Sequence, residues 1–249
     1  MEGNAMTNQI EAVLFDMGGT LRHNDKRDET AKAKILQKIL DLVKADISAT
    51  EFSQVLTTRE REYEYWAAQN LVELDEIRFW TEWMMPEWPK ELVSKNAMKL
   101  NAIWRDAICT RTFFPESRPT IFGLHRRGYK LGLVSNTTSS VDSPRALEQE
   151  GISGCFDMVM LSCVIGKRKP APDMLLKAAE IMGVLPISCA YIGDRPDWDV
   201  AAARAAGFGC AVVLRNLKRR FPEVLPANQT PDYFINNLLE LLDLFPSKK

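Results

Sequence analysis

Val13-Leu14-Phe15-Asp16-Met17-Gly18-Gly19-Thr20-Leu21 decides how the rest of the chain is read. An apolar run of strand formers delivers an aspartate at its end, and two glycines follow at once to let the backbone turn sharply. Open α/β sheets bind ligands outside the carboxyl ends of their strands, and a glycine-rich turn can aim its N–H groups at an anion. The stretch therefore predicts a buried strand that presents the Asp16 carboxylate. Alone, so short a match reads equally well as a strand and an ordinary turn. The elements further along separate the two readings.

From Phe113 onward helix and strand signals alternate. Ser117 to Arg127 predicts a helix stopped at Gly128, and Tyr129 to Val134 a strand. Ser143-Pro144 opens a helix with a cap residue and a first-turn proline, closed by Gly151. Met158 to Leu161 reads as a strand, Pro172 to Met182 as a helix ended by Gly183, and Ala190 to Ile192 as a strand. Asp197 to Ala206 is helical with Gly207 as its stop. Cys210 to Leu214 and Tyr233 to Ile235 are strands, and Asn237 to Phe245 is a last helix. Such alternation predicts a parallel sheet covered by helices on both faces.

Between the first strand and this series lies a block of different character. Ile35, Ile39 and Val43 form an apolar stripe flanked by Leu36, Leu40 and Leu42, with Asp25 or Asp28 to cap its start. Glu51 to Asn70, Glu73 to Met85 (stopped by Pro86 and Pro89) and Lys90 to Cys109 predict three more helices, with almost no strand signal. The block holds Trp66, Trp80, Trp83, Trp88 and Trp104, leaving only Trp198 outside it. Large aromatics at this density read as a small helical core, or as a lid once a site is placed beneath it. The expected organisation is a core from residues 7–21 and 113–249 and a helical insertion over residues 22–112.

Composition narrows the chemistry. The chain has 249 residues, 46% hydrophobic and 26% charged, as in an ordinary globular protein. A net charge of −1 offers no basic field for a polyphosphate backbone, so nucleic acid is not an expected partner. No apolar run approaches the ~18 residues of a membrane span and no basic-then-apolar leader is evident, so a cytoplasmic protein without a membrane partner is expected, monomeric or homodimeric. Met1 to Ala5 precede a second methionine, Met6, and stay outside the fold argument. The five cysteines, Cys109, Cys155, Cys163, Cys189 and Cys210, contain no Cys-x-x-Cys pair and read as reduced core thiols. With only His23 and His125 present, carboxylates must carry the acid and metal chemistry.

Four strand ends carry polar residues: Asp16, then Ser135-Asn136, then the loop with Lys167-Arg168-Lys169-Pro170, then Gly193-Asp194 through Asp199. Together they supply the components of phosphoryl transfer through a covalent intermediate. Asp16 is the candidate nucleophile. Mg²⁺ prefers oxygen ligands, which Asp16, the Gly18 carbonyl, Asp194 and Asp199 offer. Ser135, Asn136, Gly19 and Thr20 are candidates to hold phosphoryl oxygens, and Lys169 to offset the charge of nucleophile and phosphate. Asp199 also reads as a first-turn acid favourable to a helix dipole. Lys167 and Arg168 read as solvated loop charges, and Arg215, Lys218, Arg219 and Arg220 as an exposed basic face.

With these residues the chain resembles the haloacid dehalogenase superfamily of hydrolases, in its phosphatase-type branch with a helical (C1-type) cap. The first motif stands as Asp16-Met17-Gly18-Gly19-Thr20, the second as Ser135-Asn136, the third as Lys169-Pro170 and the fourth as Gly193-Asp194 with Asp199. The resemblance implies a Rossmann-like core, a cap inserted between the first two motifs, Mg²⁺ as cofactor, and hydrolysis of a small phosphorylated metabolite through an aspartyl-phosphate.

One position departs from that pattern. The superfamily's phosphatases carry a second aspartate two residues after the nucleophile, as general acid and base; here that position is Gly18. Losing such a group costs roughly 10²–10⁴-fold. A leaving group able to depart unassisted would bypass the loss, and His23, Glu62 or Glu64 are candidate substitutes. Dehalogenases and phosphonate hydrolases of the superfamily also lack the second aspartate. Asp194 and Asp199 argue against the former, and a cap lysine (Lys32, Lys34, Lys38 or Lys44) would be needed for the latter. Binding of a phosphorylated ligand without turnover is the remaining alternative.

Overall fold

The computed structural model describes residues 9–215, 221–222 and 224–248; Met1 to Ala5, Lys218, Arg219 and Arg220 lie outside them. Six strands form one all-parallel sheet: β1 (Ala12–Phe15), β4 (Lys130–Ser135), β5 (Met158–Leu161), β6 (Cys189–Gly193), β7 (Cys210–Leu214) and β8 (Tyr233–Ile235), in the spatial order β5-β4-β1-β6-β7-β8. The architecture is the Rossmann-like α/β sheet that the alternating pattern predicts. Strands covered on both faces read as continuous apolar runs, and β1, β6 and β7 are buried at every position. Val13, Phe15, Leu131 and Leu133 enter the core on one face, while Ala12, Leu14, Val134 and Tyr191 enter the core on the other.

The block between β1 and β4 is largely helical: α1 (Glu29–Val43), α2 (Ala49–Asn70), α3 (Glu76–Arg78) running into a π-helical stretch (Phe79–Met84), and α4 (Lys90–Ile108). Side-chain caps start three of them. Asp28 accepts from the Ala31 N–H at 2.8 Å, Ser48 from Glu51 at 3.2 Å and Asp75 from Arg78 at 3.0 Å. These helices pack on one another around their own core, in which Trp80 and Trp104 are fully buried. All five cysteines are buried and unpaired.

Two features of this block differ from the expectation. Residues Arg22–Lys26 (β2) and Cys109–Phe113 (β3) pair as an antiparallel ribbon at the two ends of the helical layer. Apolar periodicity could not reveal β2, whose sequence is RHNDK. Thr110 and Thr112 were the available strand signal in β3. The helix expected from Glu73 begins at Glu76, because Asp75 takes the cap and Glu73 turns inward, 3% exposed. Among the described residues, no helix is long and apolar enough to cross a membrane.

Candidate active site

The sheet order reverses at β1, which has β4 on one side and β6 on the other. Chains diverge from such a point and leave a crevice at the carboxyl ends of the strands. Asp16 follows β1 there, with Ser135 at the end of β4 and Asp194 just past β6. The Asp16 N–H donates to the Ile192 carbonyl at 2.9 Å, extending the ladder and fixing where the carboxylate leaves the sheet.

Lys169, 1% exposed, is the centre of this arrangement. Its Nζ donates to Asp16 Oδ1 at 2.8 Å, to Asp199 Oδ1 at 2.6 Å and to the Tyr191 hydroxyl at 2.7 Å. The Tyr191 hydroxyl in turn donates to the Val134 carbonyl at 2.7 Å. Asn136 clamps the lysine backbone: its Nδ2 donates to the Lys169 carbonyl at 3.0 Å and its Oδ1 accepts from the Lys169 N–H at 2.9 Å. Burial works to strip the proton from Lys169, but Asp16 and Asp199 hold its pKa well above the usual lysine value. Burial pushes the Asp16 carboxyl upward, against the pull of the Lys169 ammonium.

The other Asp199 oxygen accepts from the N–H groups of Asp194 (3.1 Å) and Arg195 (2.9 Å). Asp199 thus fixes the loop that carries Asp194. Asp16, Asp194 and Asp199 are all buried, and each offers a carboxylate oxygen within 4.8 Å of the others. Glycines permit this density. A Cβ at Gly193 would lie 2.3 Å from the Asp199 carboxylate, and one at Gly19, where φ is +87°, 2.4 Å from Asp194 Oδ2. At Gly18 a Cβ would meet nothing within 4 Å.

A cavity of about 180 Å³ opens on this nest, lined on the sheet side by Asp16, Gly18, Ser135, Asn136, Lys169 and Asp194. Gly19 and Thr20 are absent from its lining. The Gly19 N–H donates to the Arg22 carbonyl at 2.7 Å, and the fully buried Thr20 hydroxyl has no partner. Tight turning at Gly19 brings Arg22 to the cavity and folds Thr20 beneath the loop.

The opposite wall comes from the ribbon and the end of α4: Arg22, Asn24, Arg105 and Arg111. Arg22 and Asn24 share one face of β2, and Arg111 pairs directly across from Asn24. Arg22 and Arg105 (2.9 Å) both donate to Asp142. Burial would raise that carboxyl, but Arg105 and Arg22 hold it at about 2.

An adjoining cavity of about 230 Å³ shares Arg105, Arg111, Asn136 and Trp198 and adds Glu60 and Glu64 of α2. Burial pushes Glu60 up to about 7, although Trp104 Nε1 donates to it at 2.8 Å. Of the proton donors weighed from sequence, Glu64 lines this second cavity, whereas Glu62 points to solvent. His23 pairs with Asp25 at 2.9 Å and lines a different neighbouring cavity together with Gly18 and Asp194. Sequence reasoning missed Glu60. It sits four residues from Glu64, on the same helix face, whereas Glu62 lies two away.

Arg168 corrects the reading of a solvated charge. It is 5% exposed and lies 3.4 Å from Glu73, which also accepts from Tyr63 (2.5 Å) and Ser162 (3.0 Å). Lys34, Lys38 and Lys44 are exposed, and Lys32 is buried beside Trp104, donating to Thr57 at 3.0 Å; none lines the 180 Å³ cavity. Arg215 is exposed, as expected, with its guanidinium over the Phe234 ring.

Comparison with known proteins agrees with this geometry. Along 94% of its length the chain is 29% identical to a glyceraldehyde 3-phosphate phosphatase of Methanopyrus kandleri, covering 97% of that protein. It is 31% identical to a phosphoglycolate phosphatase of Aquifex aeolicus over 53% of this chain and 58% of that protein. Among solved structures, a haloacid dehalogenase-type (HAD) phosphatase from Thermococcus onnurineus superposes with a TM-score of 0.61 at 24% identity, over 96% of this chain and 99% of that one. A 2-haloacid dehalogenase from Pseudomonas syringae superposes with a TM-score of 0.64 at 20% identity, over 94% and 97% of the two chains. At these identities the structural likeness speaks for the fold alone. Residues 10–207 match the family described as haloacid dehalogenase-like hydrolase, from the strand that delivers Asp16 to past the Asp199 loop, and the chain is a member of that family of hydrolases.

Proposed function

We propose that this protein is a phosphatase that hydrolyses a small phosphorylated metabolite through an aspartyl-phosphate on Asp16. The observation that carries the reading is the buried trio of carboxylates lining the cavity, two of them bonded to a single lysine. A carbon–halogen reaction does not need a metal, and the acidic set with Asp194 and Asp199 argues against it, while a lysine-dependent carbon–phosphorus cleavage finds no lysine of α1 at the cavity. The full-length relative named as a phosphatase supports the same choice.

The donor set fits Mg²⁺: hard carboxylate oxygens, close together and buried, with Gly18 lining the same cavity. Asp16, Asp194 and Gly18 would hold it, and Asp199, whose two oxygens serve Lys169 and the Asp194 loop, would orient that shell. When bound, the ion supplies charge neutralisation between two anionic reactants and favours the ionised form of the neighbouring carboxyls.

The residues of the chain do the rest. An Asp16 oxygen attacks phosphorus, the bond from phosphorus to the leaving oxygen breaks, and the electron pair departs with that oxygen. Water then attacks the phosphorus of the aspartyl-phosphate, restoring the carboxylate and releasing phosphate. Ser135, which lines the cavity, donates to a phosphoryl oxygen, and Lys169 orients Asp16 and balances its charge. Asn136 acts through the backbone of Lys169 rather than on substrate. With glycine at position 18 the leaving oxygen receives no proton from that residue, so good leaving groups are favoured.

Gly18 also motivates the competing reading, a phosphorylated ligand bound without turnover. Hydrolysis of an aryl phosphate decides between them, because an aryl oxide leaves with little acid assistance. Mg²⁺-dependent turnover that falls at least ~10⁴-fold in Asp16→Asn is expected. Ligand-induced stabilisation with no product in the parent protein would replace this function by binding.

A further inference from the structure

The cavity wall opposite Asp16 carries more positive charge than its own residues neutralise. Arg22 is 5% exposed, and the side chains of Arg105 and Arg111 are 18% and 9% exposed. Arg22 and Arg105 share the single carboxylate of Asp142. The Nε atoms of both are buried and have no hydrogen-bond partner. Arg111 donates to the Arg105 carbonyl at 2.6 Å, and its ion-pair partner Asp106 lies 3.6 Å away with a side chain 71% exposed. Burial and the neighbouring Arg105 charge depress its pKa. Of the residues lining the cavity, Arg22, Arg105, Arg111, Lys169 and Arg195 are cationic against the carboxylates of Asp16, Asp194 and Asp199. Arg195 is paired to Asp197 at 2.6 Å and Lys169 is neutralised within the nest, so the surplus is confined to the three arginines of the far wall.

A phosphoryl group at Asp16 has Ser135 and Lys169 beside it on the sheet wall, and the arginines that line the same cavity from the ribbon and α4 offer their charge to a second anionic group. Planar guanidinium forks match a carboxylate, and clustered, partly desolvated arginines favour an anion over water. The cavity volume of about 180 Å³ equals on the order of six water molecules at ~30 Å³ each, a space that suits a short link between the two anionic ends. We propose that Arg22, Arg105 and Arg111 form a carboxylate-binding subsite, and that the substrate is a short-chain phosphorylated acid with its phosphate on Asp16 and its carboxylate on these arginines. This rests on the phosphatase reading for the phosphoryl end only; the anion subsite itself stands on the arginine wall.

The test compares two monophosphates of similar size and different charge, the phosphate ester of glycolic acid and ethyl phosphate, by calorimetric titration with Mg²⁺ present. Arg111→Gln is the informative variant, because Arg111 does not share Asp142 and its loss leaves that cluster intact. The acid is expected to bind about 10- to 100-fold more tightly than ethyl phosphate, the size of a charge-assisted hydrogen bond, and Arg111→Gln to erase most of that ratio. Arg111→Lys should restore part of it by keeping the charge without the fork. If either ester is turned over, the ratio of kcat/KM values is read in place of affinity. Equal affinity for both esters, a ratio unmoved by Arg111→Gln, or no binding of either ester overturns the subsite. Aryl phosphate turnover that depends on Asp16 would then show that the phosphatase reading survives alone. A carboxylate preference without any aryl phosphate turnover would keep the subsite and remove the phosphatase.

Discussion

The two walls of the reaction cavity handle charge in opposite ways. On the sheet wall Lys169 lies between Asp16 and Asp199, and Asp199 completes its bonding with two backbone N–H groups. The charge of Lys169 is satisfied there inside the fold. On the ribbon wall Arg22 and Arg105 share the single carboxylate of Asp142, while the ion-pair partner of Arg111, Asp106, lies 3.6 Å away with its side chain in solvent. The sheet wall holds its lysine and carboxylates in place before any ligand arrives, as preorganised machinery must, whereas the ribbon wall keeps cationic charge that an anionic ligand would offset.

The largest effect should come from breaking the sheet wall. Lys169→Met leaves Asp16 and Asp199 buried without their cation, and chemical denaturation should show a loss of about 3–5 kcal/mol, with activity lost as well. Arg111→Gln, by contrast, removes a like charge beside Arg105 and should cost little stability. Equal costs for the two variants would erase the contrast between the walls.

Next comes the vacancy at Gly18, where a side chain meets open space. Gly18→Asp should raise turnover of alkyl phosphates by about 10²-fold, the low end of general-acid contributions, and aryl phosphates much less. An equal gain on both would mean that the new carboxylate acts through charge rather than by transferring a proton.

The smallest effect lies at the rim, where the two walls meet the outer cavity. Burial raises the Glu60 carboxyl to about 7 in the folded protein, while the unfolded chain releases the proton near the ordinary glutamate value of 4.5. Between those values the folded state binds the extra proton, so stability falls as pH rises. Glu60→Gln should flatten that decline, gaining about 1–2 kcal/mol on the parent between pH 5 and pH 8 by thermal melts. Parallel curves would show that Glu60 is ionised in the fold.

Legibility from sequence followed the type of force involved. The sheet and the strand end at Asp16 were readable because both rest on apolar runs and glycine turns, which leave local signals. Asp16, Ser135, Lys169 and Asp194 could be placed on one edge from the order of elements alone. The ribbon could not, since β2 packs against polar cavities and carries no apolar alternation. Arg168 looked like a solvent charge because Glu73, which neutralises it, lies far away in the chain. Gly19 and Thr20 sit in the first motif, yet the turn that exposes Gly18 folds Thr20 inward.

The uneven placement of the indoles gives the molecule a built-in optical gauge. Of the six tryptophans, only Trp198 belongs to the sheet side, stacked 3.4 Å beneath the Arg195 guanidinium. The other five reside in the helical layer, Trp104 with its ring nitrogen on Glu60. Ultraviolet emission from this protein is therefore dominated by the layer above the cavity, while the sheet that holds the nucleophile stays nearly dark.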